Sequence, residues 1–120
     1  MELIVHEGPA QRFVEGPPGE PLMRRVGDVT RVIEVCFGER ISAALLYAEN
    51  LTEHFFDLSS GEAGEILQKL RNYNIRLALV APPTLQLSQR FRELLLDEQR
   101  GPYFRLFETR AAAEAWLASE

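Results

Sequence analysis

The sequence predicts an α/β fold whose sheet is mixed but mostly parallel. Short apolar or alternating runs typical of strands occur five times, and apolar residues at helical spacing occur four times. After two initial strands the two patterns alternate, which implies parallel strands joined by right-handed crossovers. We therefore expect the order β-β-α-β-α-β-α-β-α. The 120 residues have the length of a single domain, so we place all of residues 1–120 in one.

The chain opens with a predicted antiparallel hairpin over residues 2–15. Both halves have strand-like patterns, and Gly8-Pro9 between them is typical of a turn. Residues 16–21 then contain three prolines and two glycines. This composition excludes helix and central strand, so we expect an exposed loop there.

The β-α repeats are predicted over residues 28–119 and begin with a helix. Asp28 stands at its N-cap position and Gly38 at its C′ position. Five apolar residues have the spacing of one helix face: Val29, Val32, Ile33, Cys36 and Phe37. A buried strand at 43–48 follows.

The second unit begins with a polar turn that contains two adjacent aromatic residues, Phe55 and Phe56. The sequence leaves open whether one of them is exposed or both pack in an irregular loop. Ser59 and Glu62 have the spacing of a capping box. The next helix is predicted to bury Ala63, Ile66, Leu67, Leu70 and Tyr73. A continuous apolar strand at 75–81 ends the unit.

The remaining elements follow from the same rules. Thr84 or Ser88 caps a helix that ends before Gly101. That helix is predicted to bury Leu87, Phe91, Leu94 and Leu95. A strand at 103–108 follows, and Thr109 caps the final helix. The final helix is predicted to bury Ala112, Ala113, Trp116 and Leu117.

Charge and composition argue against several function classes. The net charge is −5, and the whole acidic excess lies in residues 1–60, so nucleic acid is not an expected partner. No apolar run approaches the length of a membrane helix, and the first residues do not have a secretory signal pattern. One cysteine excludes an internal disulfide. We expect a cytoplasmic protein without a metal or cofactor.

Residues 55–69 resemble the signature of a bacterial family, domain of unknown function 4180. The run reads Phe-Phe-Asp-Leu-Ser-Ser-Gly-Glu-Ala-Gly-Glu-Ile-Leu-Gln-Lys. The resemblance covers about residues 45–120. Family members tend to have a glycine and an acidic residue where this chain has Pro-Pro at 82–83. They tend to have Ser-Asn where it has Gln-Arg at 99–100.

The turn at 57–61, Asp-Leu-Ser-Ser-Gly, is similar to a turn of STAS domains, the fold of anti-sigma factor antagonists. In those domains a strand leads into an Asp-Ser-Ser-Gly-like turn at a helix start, and the turn of this chain has one extra residue. The serine there is phosphorylated and so switches partner binding. The resemblance implies a STAS-like fold with the element order predicted above. It also implies a protein partner.

Candidate binding residues lie where strands end and helices start. They are Asp57, Ser59, Ser60, Gly61, Asn50, Thr84 and Arg110. In open parallel sheets ligands bind at this carboxyl-end rim. A phosphorylated or ligand-contacting serine and a simple helix cap are both compatible with Ser59 and Ser60. A phosphate loop at Gly61 and Gly64 is disfavoured because its lysine is missing, and close packing is the expected reason for Gly64.

No catalytic residue is assigned. His54 and Asp57 could share one face of a turn but are expected to be solvated, Cys36 is expected to be buried and inert, and His6 is expected to be structural. We therefore expect a non-catalytic regulatory module that binds a protein through the 57–61 turn. The alternative is a binder of, or enzyme on, a small anionic metabolite at the same rim, using Arg110. Pairing of hairpin edges could also form a homodimer.

Overall fold

A computed structural model describes residues 3–7 and 12–119 and confirms the predicted α/β class and element order. The five strands are β1 (Ile4–Glu7), β2 (Arg12–Glu15), β3 (Ala43–Tyr47), β4 (Arg76–Val80) and β5 (Phe104–Phe107). The four helices are α1 (Val29–Glu39), α2 (Glu62–Asn72), α3 (Gln89–Glu98) and α4 (Arg110–Ala118). The predicted turn at Gly8-Pro9 lies outside the described residues. No helix of the described chain is long and apolar enough to cross a membrane.

The strands form one mixed sheet in the order β1-β2-β3-β4-β5. β1 is antiparallel to β2, with Ile4 opposite Glu15, and every other neighbouring pair is parallel. The carboxyl ends of the four parallel strands therefore meet at one edge. This edge is the rim at which the sequence placed the candidate binding residues.

Apolar side chains cover both faces of the sheet. α1, α2 and α3 pack on one face, where the largest buried cluster lies. α4 packs on the opposite face and buries Ala113 and Leu117 against Phe13 and Leu45. The crossover helices thus share a face, whereas the terminal helix lies alone on the other.

Three residues predicted to be buried are exposed: Phe37, Tyr73 and Ala112. Phe37 is next to the buried Cys36, and Ala112 is next to the buried Ala113. Because consecutive helical residues point about 100° apart, the neighbour of a buried residue can point into solvent. Tyr73 follows the last residue of α2, where helical spacing no longer applies. In each of these three helices, the predicted set of buried residues therefore contained one residue that is exposed.

Two helix ends differ from the prediction. α1 continues through Gly38 and ends at Glu39, and Arg40 takes the left-handed conformation with φ 59°. The N-cap of α2 is Gly61, with φ 79°, and the hydroxyl of Ser60 accepts a hydrogen bond from Glu62 N at 3.2 Å. Ser59 does not cap α2 because a short 3-10 helix, Leu58–Ser60, precedes it.

The side-chain caps of α3 and α4 match the prediction. The hydroxyl of Ser88 accepts a hydrogen bond from Phe91 N at 3.1 Å, and that of Thr109 accepts one from Ala112 N at 3.2 Å. Asp28 directly precedes α1 as predicted, but its side chain does not cap the helix, because its carboxylate accepts hydrogen bonds from Arg24 N and Arg25 N instead. Those hydrogen bonds lower the pKa of Asp28.

Candidate functional site

The predicted binding residues lie at the carboxyl-end rim but are divided between the two faces of the sheet. The 57–61 turn precedes α2, on the face with three helices, whereas Arg110 begins α4 on the other face. Thr84 is exposed in the loop after β4, and Asn50 is buried. The chain therefore does not bring the predicted residues together in one pocket.

The 57–61 turn is held by its own polar groups. The carboxylate of Asp57 accepts hydrogen bonds from Ser59 Oγ at 2.6 Å and from Ser59 N at 3.2 Å. Ser60 Oγ donates to the carbonyl of His54 at 2.9 Å. Asp57, Ser59, Ser60 and Gly61 are all exposed. The turn thus has a defined conformation, and its two hydroxyls lie at the surface beside the start of α2.

Aromatic packing supports the turn from below. Phe55 is fully buried and Phe56 is half-buried. Of the two alternatives that the sequence left open, the structure therefore has the one in which both aromatic residues pack. Their rings lie 5.1 Å apart and contact Phe91 of α3 at 5.9 Å and 5.2 Å, measured between ring centroids. These three rings connect the segment before the turn to the core.

The side chain of Asn50 stabilises the loop that follows β2. Its side-chain nitrogen donates to the carbonyls of Pro17 and Glu20 at 2.7 Å and 2.8 Å, and its side-chain oxygen accepts from Tyr47 N at 2.7 Å. Gly16 and Pro17 are buried as a result, so the predicted exposed loop is exposed only from residue 18. All the polar side-chain atoms of Asn50 are engaged within the fold.

Arg110 belongs to a partly buried network around Glu15 that the sequence did not predict. Its guanidinium donates two hydrogen bonds to Glu15, each 3.0 Å long, and one to Glu114 at 3.0 Å. The hydroxyl of Tyr47 donates to Glu15, and His6 Nε2 lies 2.6 Å from Glu15 Oε1. We call Glu15, Arg110, Tyr47 and His6 the Glu15 network.

Opposing effects set the protonation of this network. Glu15 is only 4% exposed, and burial favours its neutral form. Hydrogen bonds from Arg110 and Tyr47, with the charges of Arg110 and His6, outweigh burial and lower the pKa of Glu15. Burial and the neighbouring Glu15 raise the pKa of Tyr47 to about 12. The network therefore contains an ionised Glu15 and a protonated Tyr47 at neutral pH.

One sequence signal could have revealed this network. Phe13 and Glu15 are two residues apart in β2, so they lie on the same face of the sheet, and Phe13 is buried there. A carboxylate on a buried face requires a cationic partner. The partner, however, is 95 residues away along the chain, and no local pattern identifies it.

Cys36 is buried as expected, and burial raises the pKa of its thiol to about 12. The thiolate needed for nucleophilic chemistry is therefore scarce at neutral pH. In residues 3–7 and 12–119 no three His, Cys, Asp or Glu side chains could together hold a metal ion.

The fold and the site together define a class of protein: an α/β domain with an exposed polar turn at the carboxyl-end rim of its sheet. A family model described as Domain of unknown function (DUF4180) matches residues 10–117, so the chain belongs to that family. No curated protein and no solved structure matches the chain.

Proposed function

We propose that this chain is a non-catalytic regulatory module that binds another protein through the 57–61 turn. The observation that carries the proposal is the exposed Asp57–Ser59 pair on a turn whose conformation is already fixed. A surface that is ordered before binding loses little conformational entropy on association. The similarity of this turn to that of STAS domains supports the same role.

Ser59 is the favoured position for a regulatory phosphate. Its hydroxyl donates its hydrogen bond to Asp57, and both side chains are exposed. A phosphate on Ser59 Oγ would remove that donor and place a second anion beside the carboxylate. The turn would then have to rearrange, which would change the surface offered to a partner.

Ser60 is a less favourable position. Its hydroxyl donates to the carbonyl of His54 and accepts from Glu62 N, so it stabilises the start of α2. Modification there would disturb the helix start as well as the surface. We expect Ser59 to be the modified residue and Ser60 to serve mainly in the fold.

The experiment is affinity purification from the cell of origin, with mass analysis of both the bound proteins and serine phosphorylation. The baits are the wild-type chain, Ser59→Glu, Ser60→Glu and a matched control, Ser119→Glu. Ser119 is an exposed serine after α4, and its hydroxyl donates only to the carbonyl of Trp116. Circular dichroism checks that every bait is folded.

We expect one stoichiometric partner on the wild-type chain and on the control, and its loss on Ser59→Glu. Equal retention of every partner by all the baits would contradict the proposal. Binding of a small anion that is lost on Arg110→Gln would instead favour the metabolite alternative. That anion would have to compete with Glu15 and Glu114 for the guanidinium.

A further inference from the structure

The carboxyl-end rim has a place where the connections after two neighbouring strands leave on opposite faces of the sheet. The chain after β4 leads to α3, which packs on the same face as α1 and α2, whereas the chain after β5 leads to α4 on the other face. Where the connections of adjacent parallel strands diverge in this way, they leave a crevice outside the strand ends, and ligands of open α/β sheets bind there. The helices after β2, β3 and β4 share one face, so among the parallel strands of the described chain only the β4–β5 pair meets this condition.

A small cavity lies at this crevice. It has a volume of about 200 Å³ and lies between the loop after β4, the start of α3 and the end of β5. Its apolar wall includes Leu85, Leu87 and Leu106, which are half-buried. Sites for drug-sized ligands begin at about 300 Å³, so a ligand that fills this cavity has about the size of a single amino acid.

Two side chains of opposite charge line the same cavity. Arg92 comes from α3, and Glu108 directly follows β5. Both are exposed, and neither side chain makes a hydrogen bond or an ion pair with any residue in 3–7 or 12–119. Their charges are therefore available to a ligand, that of Arg92 for an anionic group and that of Glu108 for a cationic group.

The wall formed by the loop after β4 is held in place by its own backbone. Pro82 and Pro83 each fix one backbone torsion angle, and Leu85 N donates a hydrogen bond to the carbonyl of Pro82 at 3.0 Å. Ala81 N donates to the carbonyl of Phe107 at 2.9 Å, which extends the pairing of β4 and β5 to the edge of the cavity. A preformed cavity of this kind loses little conformational entropy when a ligand binds.

We propose that the cavity between the carboxyl ends of β4 and β5 binds a small apolar α-amino acid as its zwitterion. Arg92 binds the carboxylate, Glu108 binds the ammonium group, and the leucine-lined wall receives the apolar side chain. A simple carboxylate would bring a second anion beside Glu108, and a simple amine would bring a second cation beside Arg92. A ligand with both charges gives each side chain a partner.

This site is separate from the surfaces considered above. The 57–61 turn precedes α2 and does not line the cavity, so the inference does not depend on the proposed function. Arg110, on which the metabolite alternative depends, begins α4 on the opposite face and is bonded to Glu15 and Glu114.

The test measures binding to the full chain by chemical-shift titration, with three probes that share one apolar tail. L-Leucine carries both charges, isocaproate lacks the ammonium group, and isoamylamine lacks the carboxylate. The variants are Arg92→Gln and Glu108→Gln. The matched controls, Arg90→Gln and Glu65→Gln, replace exposed residues that do not line the cavity. Circular dichroism confirms that each variant is folded.

We expect leucine to give saturable shifts at the amides of residues 85–87 and 106–108, with a dissociation constant below about 1 mM. Isocaproate and isoamylamine should each bind at least about tenfold more weakly, because each leaves one charged side chain without a partner. Arg92→Gln and Glu108→Gln should each weaken leucine binding about tenfold, whereas the two controls should keep it within about twofold of wild type. In Glu108→Gln, leucine and isocaproate should bind equally within about twofold, because the ammonium group has lost its partner.

The proposal is overturned if leucine gives no saturable shift up to about 10 mM, or if isocaproate binds the wild type as tightly as leucine does. It is also overturned if the controls weaken leucine binding as much as Arg92→Gln and Glu108→Gln do, since those two charges would then not select the ligand.

Discussion

Glu15 is both buried and ionised, and Arg110 stabilises its negative charge. The carboxylate accepts two hydrogen bonds from Arg110 and one from Tyr47, which compensate for the loss of water. These residues come from β2, β3 and α4, so the network fixes the start of α4 on the sheet. Arg110 therefore stabilises the fold whether or not it also binds a ligand.

Replacing Arg110 by alanine should lower the free energy of unfolding by about 2–3 kcal/mol, because it leaves the buried charge of Glu15 without its main partner. Because the Arg110 side chain is 40% exposed, this loss is smaller than the roughly 3–5 kcal/mol expected when one partner of a fully buried ion pair is removed. Urea denaturation followed by circular dichroism measures the change. Arg90→Ala, an exposed arginine on α3, is the control and should change stability by less than about 0.5 kcal/mol. Equal losses in the two variants would contradict a special role for Arg110.

The Glu15 network should also make stability depend on pH. Because the pKa of Glu15 is lowered by folding, its contribution is present above the unfolded value of 4.5 and is lost as the pH falls through the folded value. The difference in unfolding free energy between wild type and Glu15→Gln should therefore shrink as the pH falls below 4.5. Other acidic groups cancel in this difference. A difference that grew on acidification would show the opposite pKa shift.

At the scale of elements, two glycines near the start of α2 have different roles. Gly61 has φ 79°, a backbone angle that residues with a Cβ rarely adopt. Gly64 lies inside the helix, and a Cβ added there would meet no atom within 4 Å. The expected close packing at Gly64 was therefore wrong. Its lack of a side chain has no reason within the described part of the chain.

Alanine at these two positions should have opposite effects. Gly61→Ala should destabilise the chain by about 1 kcal/mol, because alanine is strained in the left-handed region. Gly64→Ala should stabilise it by about 1 kcal/mol, the difference in helix propensity. Thermal unfolding of the two variants beside wild type measures both. The same sign for both would mean that the start of α2 differs from the one described.

The loop after β2 depends on the close approach of Gly16 to Asn50. A Cβ on Gly16 would lie 2.3 Å from Asn50 Oδ1, and Asn50 is buried and bonded on every side. Gly16→Ala should cost about 2–3 kcal/mol through overpacking and weakened hydrogen bonds. Gly27→Ala, where an added Cβ meets no atom within 4 Å, should change stability by less than about 0.5 kcal/mol. Chemical denaturation compares the two, and equal stability would rule out the tight contact.

The spacing of apolar residues was enough to predict the helices and strands. The polar residues were not enough to predict where each helix begins and ends. The stripes Val29–Cys36 and Ala63–Leu70 are buried as their spacing indicates. Ser88 and Thr109 cap their helices because each directly precedes the first helical residue. Ser59 does not, since Asp57 binds its hydroxyl and the chain makes a short 3-10 turn first. Competing local hydrogen bonds of this kind are not visible in residue spacing.

At the scale of the whole molecule, the order of the elements determines where a partner can bind. Sequential parallel strands place α1, α2 and α3 on one face and leave α4 alone on the other. The 57–61 turn lies at the carboxyl-end rim, and an apolar groove lined by Ile33, Phe37 and Tyr73 lies at the opposite end. The sequence predicted the rim because it follows from topology. It could not predict the groove or the Glu15 network, because both depend on contacts between distant segments.

Hydrogen exchange of the chain, alone and in complex with the captured partner, tests the central claim most directly. If the 57–61 turn is the binding surface, partner binding should slow amide exchange in the turn and in the first turn of α2. Exchange in β1 and in α4 should then remain unchanged. Unchanged exchange at residues 57–61, with protection confined to other segments, would contradict the account.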